Sequence, residues 1–155
     1  MGVTIRLAEE RDVDRILELL SQILKLHHGG RPDFFREEGG KYDRDSVLEM
    51  AEHTFAAEVD GVLRGYAMFK VKNRGGPAQK EFTTLYVDDL CVEDGFQGAG
   101  IGRALMDACK ERARELGCHN IELNVWEFNE KARKFYEKIG FTTQKRGMEM
   151  LVCLK

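Results

Sequence analysis

The stretch VDDLCVEDGFQGAGIGRAL, from Val87 to Leu105, decides how the rest of the chain is read. Val87-Asp88-Asp89-Leu90-Cys91-Val92 is a mostly apolar run with a β-branched residue at each end, and it reads as a strand. Glu93 to Gly100 is a turn-rich loop that contains Gly95, Gly98 and Gly100. Ile101, Leu105, Ala108, Cys109 and Leu116 then recur at helical spacing. A strand, a glycine-rich loop and a helix start together make an anion site. The first backbone N–H groups of a helix have no partner inside it, and its dipole favours negative charge there.

Three phosphate-loop readings compete. A Walker loop needs Lys followed by Ser or Thr after its last glycine, and here Gly102 is followed by Arg103-Ala104. A dinucleotide fingerprint that starts at Gly98 reaches Gly100 and then finds Arg103 where its third glycine belongs. The third reading is Gln97-Gly98-Ala99-Gly100-Ile101-Gly102. It resembles the Q/R-x-x-G-x-G/A loop of the GNAT superfamily of N-acetyltransferases, whose amides hold the pyrophosphate of acetyl-CoA. Taken alone, the hexapeptide also fits a loop whose glycines only permit a tight turn.

A second motif narrows the choice. Residues Asn129 to Phe141, NEKARKFYEKIGF, resemble the family's N-x-x-A-x-x-F/L-Y-x-x-x-G-F segment. The segment also makes local sense. Asn129 is a good N-cap, Ala132, Phe135, Tyr136 and Ile139 share one helical face, and Gly140 sits where a helix end wants a left-handed residue. Two motifs in the right order are more specific than either alone.

The 155 residues fit one domain, 1–155, with 43% apolar and 33% charged residues and a formal net charge of -3. That balance argues against nucleic acid as a main partner. No apolar run approaches the ~18 residues of a membrane span, and the N-terminus carries no charged-then-apolar signal. No membrane association and a cytoplasmic location are therefore expected. Cys91, Cys109, Cys118 and Cys153 form no C-x-x-C pair and are expected as reduced thiols, mostly in the core.

Val3 to Leu7 alternates as a first strand, and Val13, Ile16, Leu17, Leu20, Ile23 and Leu24 make the apolar face of a first helix. His27-His28-Gly29-Gly30-Arg31-Pro32 ends that helix and is expected as a solvated loop rather than a metal site. Residues 33 to 60 hold nine acidic side chains against three basic ones. Val47 to Ala51 suggests a second helix there. This stretch reads either as a solvated surface or as an acidic wall that attracts a cationic amine. Phe55–Val59, Asp60-Gly61 and Val62–Val71 form a hairpin signal, with a second turn at 73–77. Phe82–Val92, His119–Trp126, Phe141–Lys145 and Met148–Leu154 are further expected strands. The order β-α-α-β-β-β-α-β-α-β-β describes an α/β domain with a mixed twisted sheet flanked by helices, in agreement with the GNAT fold.

Acyl transfer from a thioester to an amine sets definite requirements. The amine must lose a proton, since a lysine-like amine has a pKa near ~10.4. Charge that develops on the thioester oxygen needs a donor aimed at it. The thiolate must then leave. The resemblance implies parts for matching positions. The strand before the loop would carry a bulge, with the amide of Leu90 meeting the acetyl carbonyl and Val92 pairing with the pantetheine as an added strand. Gln97, Gly98, Ala99, Gly100, Ile101, Gly102 and Arg103 would hold the pyrophosphate. Asn129 and Ala132 would contact the pantetheine arm, and Tyr136 would protonate the thiolate. The alternative for Tyr136 is a packed tyrosine beside Phe135.

Asp88 and Asp89 are adjacent, so a regular strand points them to opposite faces. Asp88 matches a position where the similar diamine acetyltransferases carry a glutamate and is the preferred base, while Asp89 would bind the amine or serve the structure. The resemblance thus implies an acetyl-CoA-dependent N-acetyltransferase with no metal. A small cationic amine is the expected acceptor and a homodimer the expected assembly. A non-catalytic acyl-CoA-binding domain and a transferase for protein N-termini or lysines are the alternatives.

Overall fold

The computed structural model describes residues 2–153, which form two compact units that divide after Asn124. The first unit holds a five-stranded sheet in the order β1-β2-β3-β4-β5, formed by β1 (Val3–Leu7), β2 (Thr54–Val59), β3 (Val62–Gly76), β4 (Gln79–Val92) and β5 (Asn120–Leu123). The first four strands run antiparallel to their neighbours, and β5 joins β4 in parallel after the crossover helix α3 (Ile101–Glu115). Helix α1 (Val13–Gly30) and the short α2 (Arg44–Glu49) lie between β1 and β2 in sequence.

Tight turns fall where the sequence places them. Asp60 and Gly61 both have positive φ, 52° and 77°, the pair of left-handed residues that a two-residue hairpin needs. The β3–β4 hairpin runs further than expected, with pairing out to Gly76↔Gln79. At the entry to α1, the Arg6 guanidinium reaches the two Asp12 oxygens at 2.7 and 2.8 Å, and Asp12 also accepts the Glu9 N–H at 2.8 Å. The hydrogen bond from Arg6 holds the Asp12 carboxyl below the usual carboxylate range.

The two faces of the sheet are covered by different helices. Val13, Ile16, Leu19 and Leu20 of α1 and Val47 of α2 pack with Tyr66, Met68 and Cys91 in one buried cluster. The neighbouring Gly65 faces the other way, because a Cβ there would meet the side chains of Ile101 and Leu105 at 3.2 and 3.3 Å. It would also lie 2.8 Å from the Cys91 carbonyl oxygen, so glycine is what lets α3 and β4 come this close. Cys91 and Cys109 are buried, Cys118 is half-buried and Cys153 is exposed, all as free thiols.

The second unit contains α4 (Glu130–Lys138). The Asn129 side chain accepts from the Ala132 N–H at 3.2 Å, and Gly140 takes a φ of 108° after the last turn. Two expectations need correction. No strand forms over 141–153, where two closing strands were expected, and Leu154 lies outside the described residues. Alternation along MEMLVC is only half of a strand, since a strand exists through its ladder, and Met148, Met150 and Val152 here stay exposed. His27 and His28 sit in the last turn of α1 rather than in a loop. There the His28 Nδ1 lies 2.9 Å from the Phe35 carbonyl and the His27 ring stacks on Phe35 at 4.8 Å.

Candidate active site

The centre of β4 carries the feature that organises the site. Met68 of β3 pairs with Asp89 and the next residue, Phe69, pairs with Val87, so Asp88 is the extra residue of a β-bulge. A regular strand would send the two aspartates to opposite faces. The bulge brings both to the side covered by α1 and α2, where the side chains of Asp88 and Asp89 are only 6% and 9% exposed.

Three donors converge on Asp88. The Tyr42 hydroxyl donates to its Oδ2, Lys41 Nζ lies 3.1 Å from the same oxygen, and Lys70 Nζ lies 3.8 Å from Oδ1. Burial and the hydrogen bond to Asp88 raise the Tyr42 phenol above its ordinary value. Asp89 is held differently. Lys41 Nζ approaches its Oδ2 at 3.7 Å, and that buried oxygen has no hydrogen-bond partner. Burial pushes the Asp89 carboxyl up to about 6, with Asp88 adding repulsion and Lys41 opposing it. The Tyr66 hydroxyl, two residues from Met68 on the same face of β3, is likewise buried without a partner.

Sequence alone did not single out Lys41, Tyr42, Lys70 or Tyr66. The acidic stretch of 33–60 delivers a lysine and a tyrosine to the aspartates. Its carboxylates serve elsewhere: Asp33 pairs with Arg31, Asp43 caps α2 and Glu58 pairs with Arg6. The one available signal was the Lys41-Tyr42 pair, a cation and an aromatic inside an otherwise acidic run.

Beyond the bulge, β4 leaves β5. Their ladder covers only Thr84 to Val87, so Asp88 to Val92 extend past it with β3 on one side. Leu90 lies opposite Ala67 within this extension and is half-buried. The Val92 carbonyl accepts from the amide nitrogens of Gln22 at 3.0 Å and Gln97 at 3.3 Å. Gln22 also accepts the Asp94 N–H at 2.9 Å, which ties α1 to the start of the loop. Glu93 fixes the same corner through Arg15 and Arg64 at 2.6 and 2.8 Å, and Arg64 stacks over Phe96 at 4.2 Å.

The loop from Gln97 to Gly100 is exposed. Gly98 and Gly100 have φ of 85° and 84°, and a Cβ on either would meet nothing within 4 Å. Gly100 is the N-cap of α3 and has no side chain to satisfy the first amides, those of Ile101, Gly102 and Arg103. The first turn contains no acidic residue and does contain Arg103. Open amides, the positive end of a helix and a nearby guanidinium suit a polyanion such as a pyrophosphate.

In the second unit, Ala132, Phe135 and Tyr136 of α4 and Ile139, the residue after its end, are half-buried. The Tyr136 ring packs edge-on against Phe135 at 5.3 Å and Phe141 at 5.6 Å. Among the described residues, no group of three or more His, Cys, Asp or Glu side chains is arranged to hold a metal ion. No described helix is long and apolar enough to cross a membrane.

Comparison with known proteins gives a consistent result. Residues 14–141 match the family model described as Acetyltransferase (GNAT) family. The chain is 30% identical over 154 residues to glucosamine 6-phosphate N-acetyltransferase of Trypanosoma brucei brucei, covering 97% of this chain and 96% of that protein. It is 33% identical over 145 residues to a mycothiol acetyltransferase of Propionibacterium freudenreichii subsp. shermanii, covering 89% of this chain but 43% of that relative. The crystal structure of a mutant of the BH1408 protein from Bacillus halodurans superposes with a TM-score of 0.93 at 25% identity, covering 97% of this chain and 99% of that one.

Proposed function

Since the chain belongs to the acetyltransferase (GNAT) family, we propose that it moves the acetyl group of acetyl-CoA to the primary amine of a small, cationic molecule. Membership makes it an acyltransferase; the acceptor and the residue roles are our reading. The observation that carries it is the bulge at Asp88, which presents two carboxylates on one face directly before Leu90.

The proposed division of labour takes its parts from the family resemblance, and local chemistry supports them. The open amides of the first turn of α3, with Gln97 to Arg103, receive the pyrophosphate. Residues Asp88 to Val92, free of β5, offer backbone groups to an extended pantetheine arm, and the Leu90 N–H is the donor for the carbonyl oxygen where charge develops. The carboxylate pair receives the acceptor's ammonium, for which Lys41 is an internal stand-in. In the second unit, Asn129 and Ala132 are carried over as pantetheine contacts and Tyr136 as the acid for the departing thiolate.

A second reading has its own support. Lys41 and Lys70 surround the aspartates, and Lys72 lies over the Tyr86 ring at 3.8 Å on the same β3–β4 ladder, so an acceptor that bears both an amine and an anionic group also finds partners. The Trypanosoma relative is named for such an acceptor, glucosamine 6-phosphate.

An amine panel separates the two. With acetyl-CoA saturating, kcat/KM for diamines and for amino sugar phosphates is measured from low to ~0.5 M salt. A cationic acceptor drawn by the carboxylate pair loses kcat/KM as salt screens the attraction over about 8–10 Å. Preference for the phosphate-bearing amines supports the second reading. Equal turnover of neutral amines with no salt dependence contradicts both.

A further inference from the structure

We infer that Asp89 is the residue that takes the proton from the acceptor's ammonium, while Asp88 holds Lys41, Lys70 and Tyr42 in place around it. The inference rests on the acetyl-transfer reading above and deepens it.

Geometry separates the neighbours. Asp88 is engaged through Oδ2: the Tyr42 hydroxyl donates to that oxygen and Lys41 lies 3.1 Å from it, while Lys70 stands 3.8 Å from Oδ1, beyond hydrogen-bond reach. A proton arriving at Oδ2 competes with a hydroxyl and an ammonium. The Asp89 side chain is 91% buried by its 9% exposure, and its Oδ2 has no hydrogen-bond partner. It sits immediately before Leu90 and diagonally across the ladder from the unpartnered Tyr66 hydroxyl. Lys41 Nζ, a primary ammonium, already stands 3.7 Å from this oxygen, so the surroundings accommodate the group that would be deprotonated.

The environment of Asp89 suits the task. The groups that face it or Lys41 are Lys41 and Tyr42 from the segment before α2, Lys70 and Tyr66 from β3, Asp88 and Cys91 from β4, and His27 from the end of α1. Burial outweighs the lysines and places the carboxyl near 6, a better match for a base that works near neutral pH than an ordinary aspartate.

The step balances as follows. An N–H bond of the acceptor ammonium breaks, its electron pair stays on nitrogen, and the proton moves to Asp89 Oδ2. The nitrogen pair forms the C–N bond at the acetyl carbonyl carbon. The carbonyl π pair moves to oxygen and returns as the C–S bond breaks with its pair on sulfur. The nitrogen loses a second N–H proton, the thiolate takes one up, and the proton on Asp89 passes to solvent, so that one ammonium and one thioester give one amide, one thiol and one released proton.

The test is the pH profile of kcat/KM from pH 5 to 9 for the best amine, with kcat measured alongside, on wild type, Asp88→Asn, Asp89→Asn and Asp89→Glu. Folding is checked by circular dichroism and acetyl-CoA binding by calorimetry. Wild type is expected to show an inflection near pH 6. Asp89→Asn should lose that inflection and about 10²–10⁴-fold in kcat. Asp89→Glu should restore the inflection, and Asp88→Asn should keep it at lower pH, since a neighbouring charge has been removed. Loss of the inflection in Asp88→Asn with its retention in Asp89→Asn overturns the assignment in favour of Asp88. Retention in both assigns the proton to solvent. If wild type binds acetyl-CoA and turns over no amine, the acetyl-transfer reading fails and the role of Asp89 fails with it.

Discussion

Asp88 and Asp89 are adjacent on β4, yet both carboxylates face Lys41, whose Nζ lies 3.1 Å from Asp88 and 3.7 Å from Asp89. One extra residue in the strand produces this arrangement. It concentrates like charge in a buried place, which costs stability and gives chemistry.

That cost is measurable. Burial raises the Asp89 carboxyl to about 6, so the folded state prefers it protonated. The associated stability is fully present below the unfolded value near 4 and is lost as pH rises through about 6. At ~1.4 kcal/mol per tenfold change in proton affinity, ionised Asp89 costs the fold about 2–3 kcal/mol at pH 7. Asp89→Asn is therefore expected to raise Tm at pH 7–8 and to lose that advantage near pH 4. Thermal unfolding of both proteins across this range checks it, and an equal or lower Tm for the variant at pH 8 counts against a destabilising carboxylate.

Asp12 shows the opposite sign. Its carboxyl is held low by the hydrogen bonds from Arg6, so its contribution is present above the ordinary carboxylate range and is lost as pH falls through the depressed folded value. Asp12→Ala removes one of the two carboxylates that hold the Arg6 guanidinium, leaving Glu58, together with one side of the helix-entry bonding, and about 1.5–3 kcal/mol of stability is expected to go with it. Urea unfolding at pH 7 reads this directly.

Gly100 lies in the left-handed region at φ 84°, with open space where a Cβ would stand. Gly100→Glu should therefore fold at a backbone cost of about 1–2 kcal/mol. Its carboxylate would face the open amides of α3 and repel a pyrophosphate. Loss of CoA affinity in calorimetry, with the far-ultraviolet spectrum retained, is the expected outcome. Unchanged affinity removes the loop from the cofactor site.

Tyr136 packs against Phe135 and Phe141 through its ring, so Tyr136→Phe keeps that packing. A CoA thiol has a thiol-like pKa near ~8.5 and leaves reasonably well unaided. A fall in kcat on the order of ten to a few hundredfold with little change in Tm is expected if the hydroxyl protonates the thiolate. Unaltered turnover makes Tyr136 a packing residue.

What could be read from sequence was local. The Asn129 cap, the Asp60-Gly61 turn and the change from loop to helix after Gly100 are each fixed by a few consecutive residues, and all stand in the structure. The contact of Lys41 with Asp88 spans 47 residues, so no window of sequence contains it. The bulge depends on how β4 registers with β3, and adjacent aspartates alone do not say which residue is extra. The absence of strands over 141–153 has the same reason: alternation from Met148 onward satisfies a pattern, whereas pairing needs a neighbour.

The most direct measurement follows both products of one reaction. Purified protein, acetyl-CoA and a panel of small amines are incubated together, with free thiol measured by colour and the amines by mass. Thiol release in step with a gain of about 42 Da on a cationic primary amine, reduced by Asp89→Asn and abolished by Gly100→Glu, is the expected result. Tight CoA binding with no acetylated product from any amine, or thiol release that Gly100→Glu leaves untouched, contradicts acetyl transfer at this site.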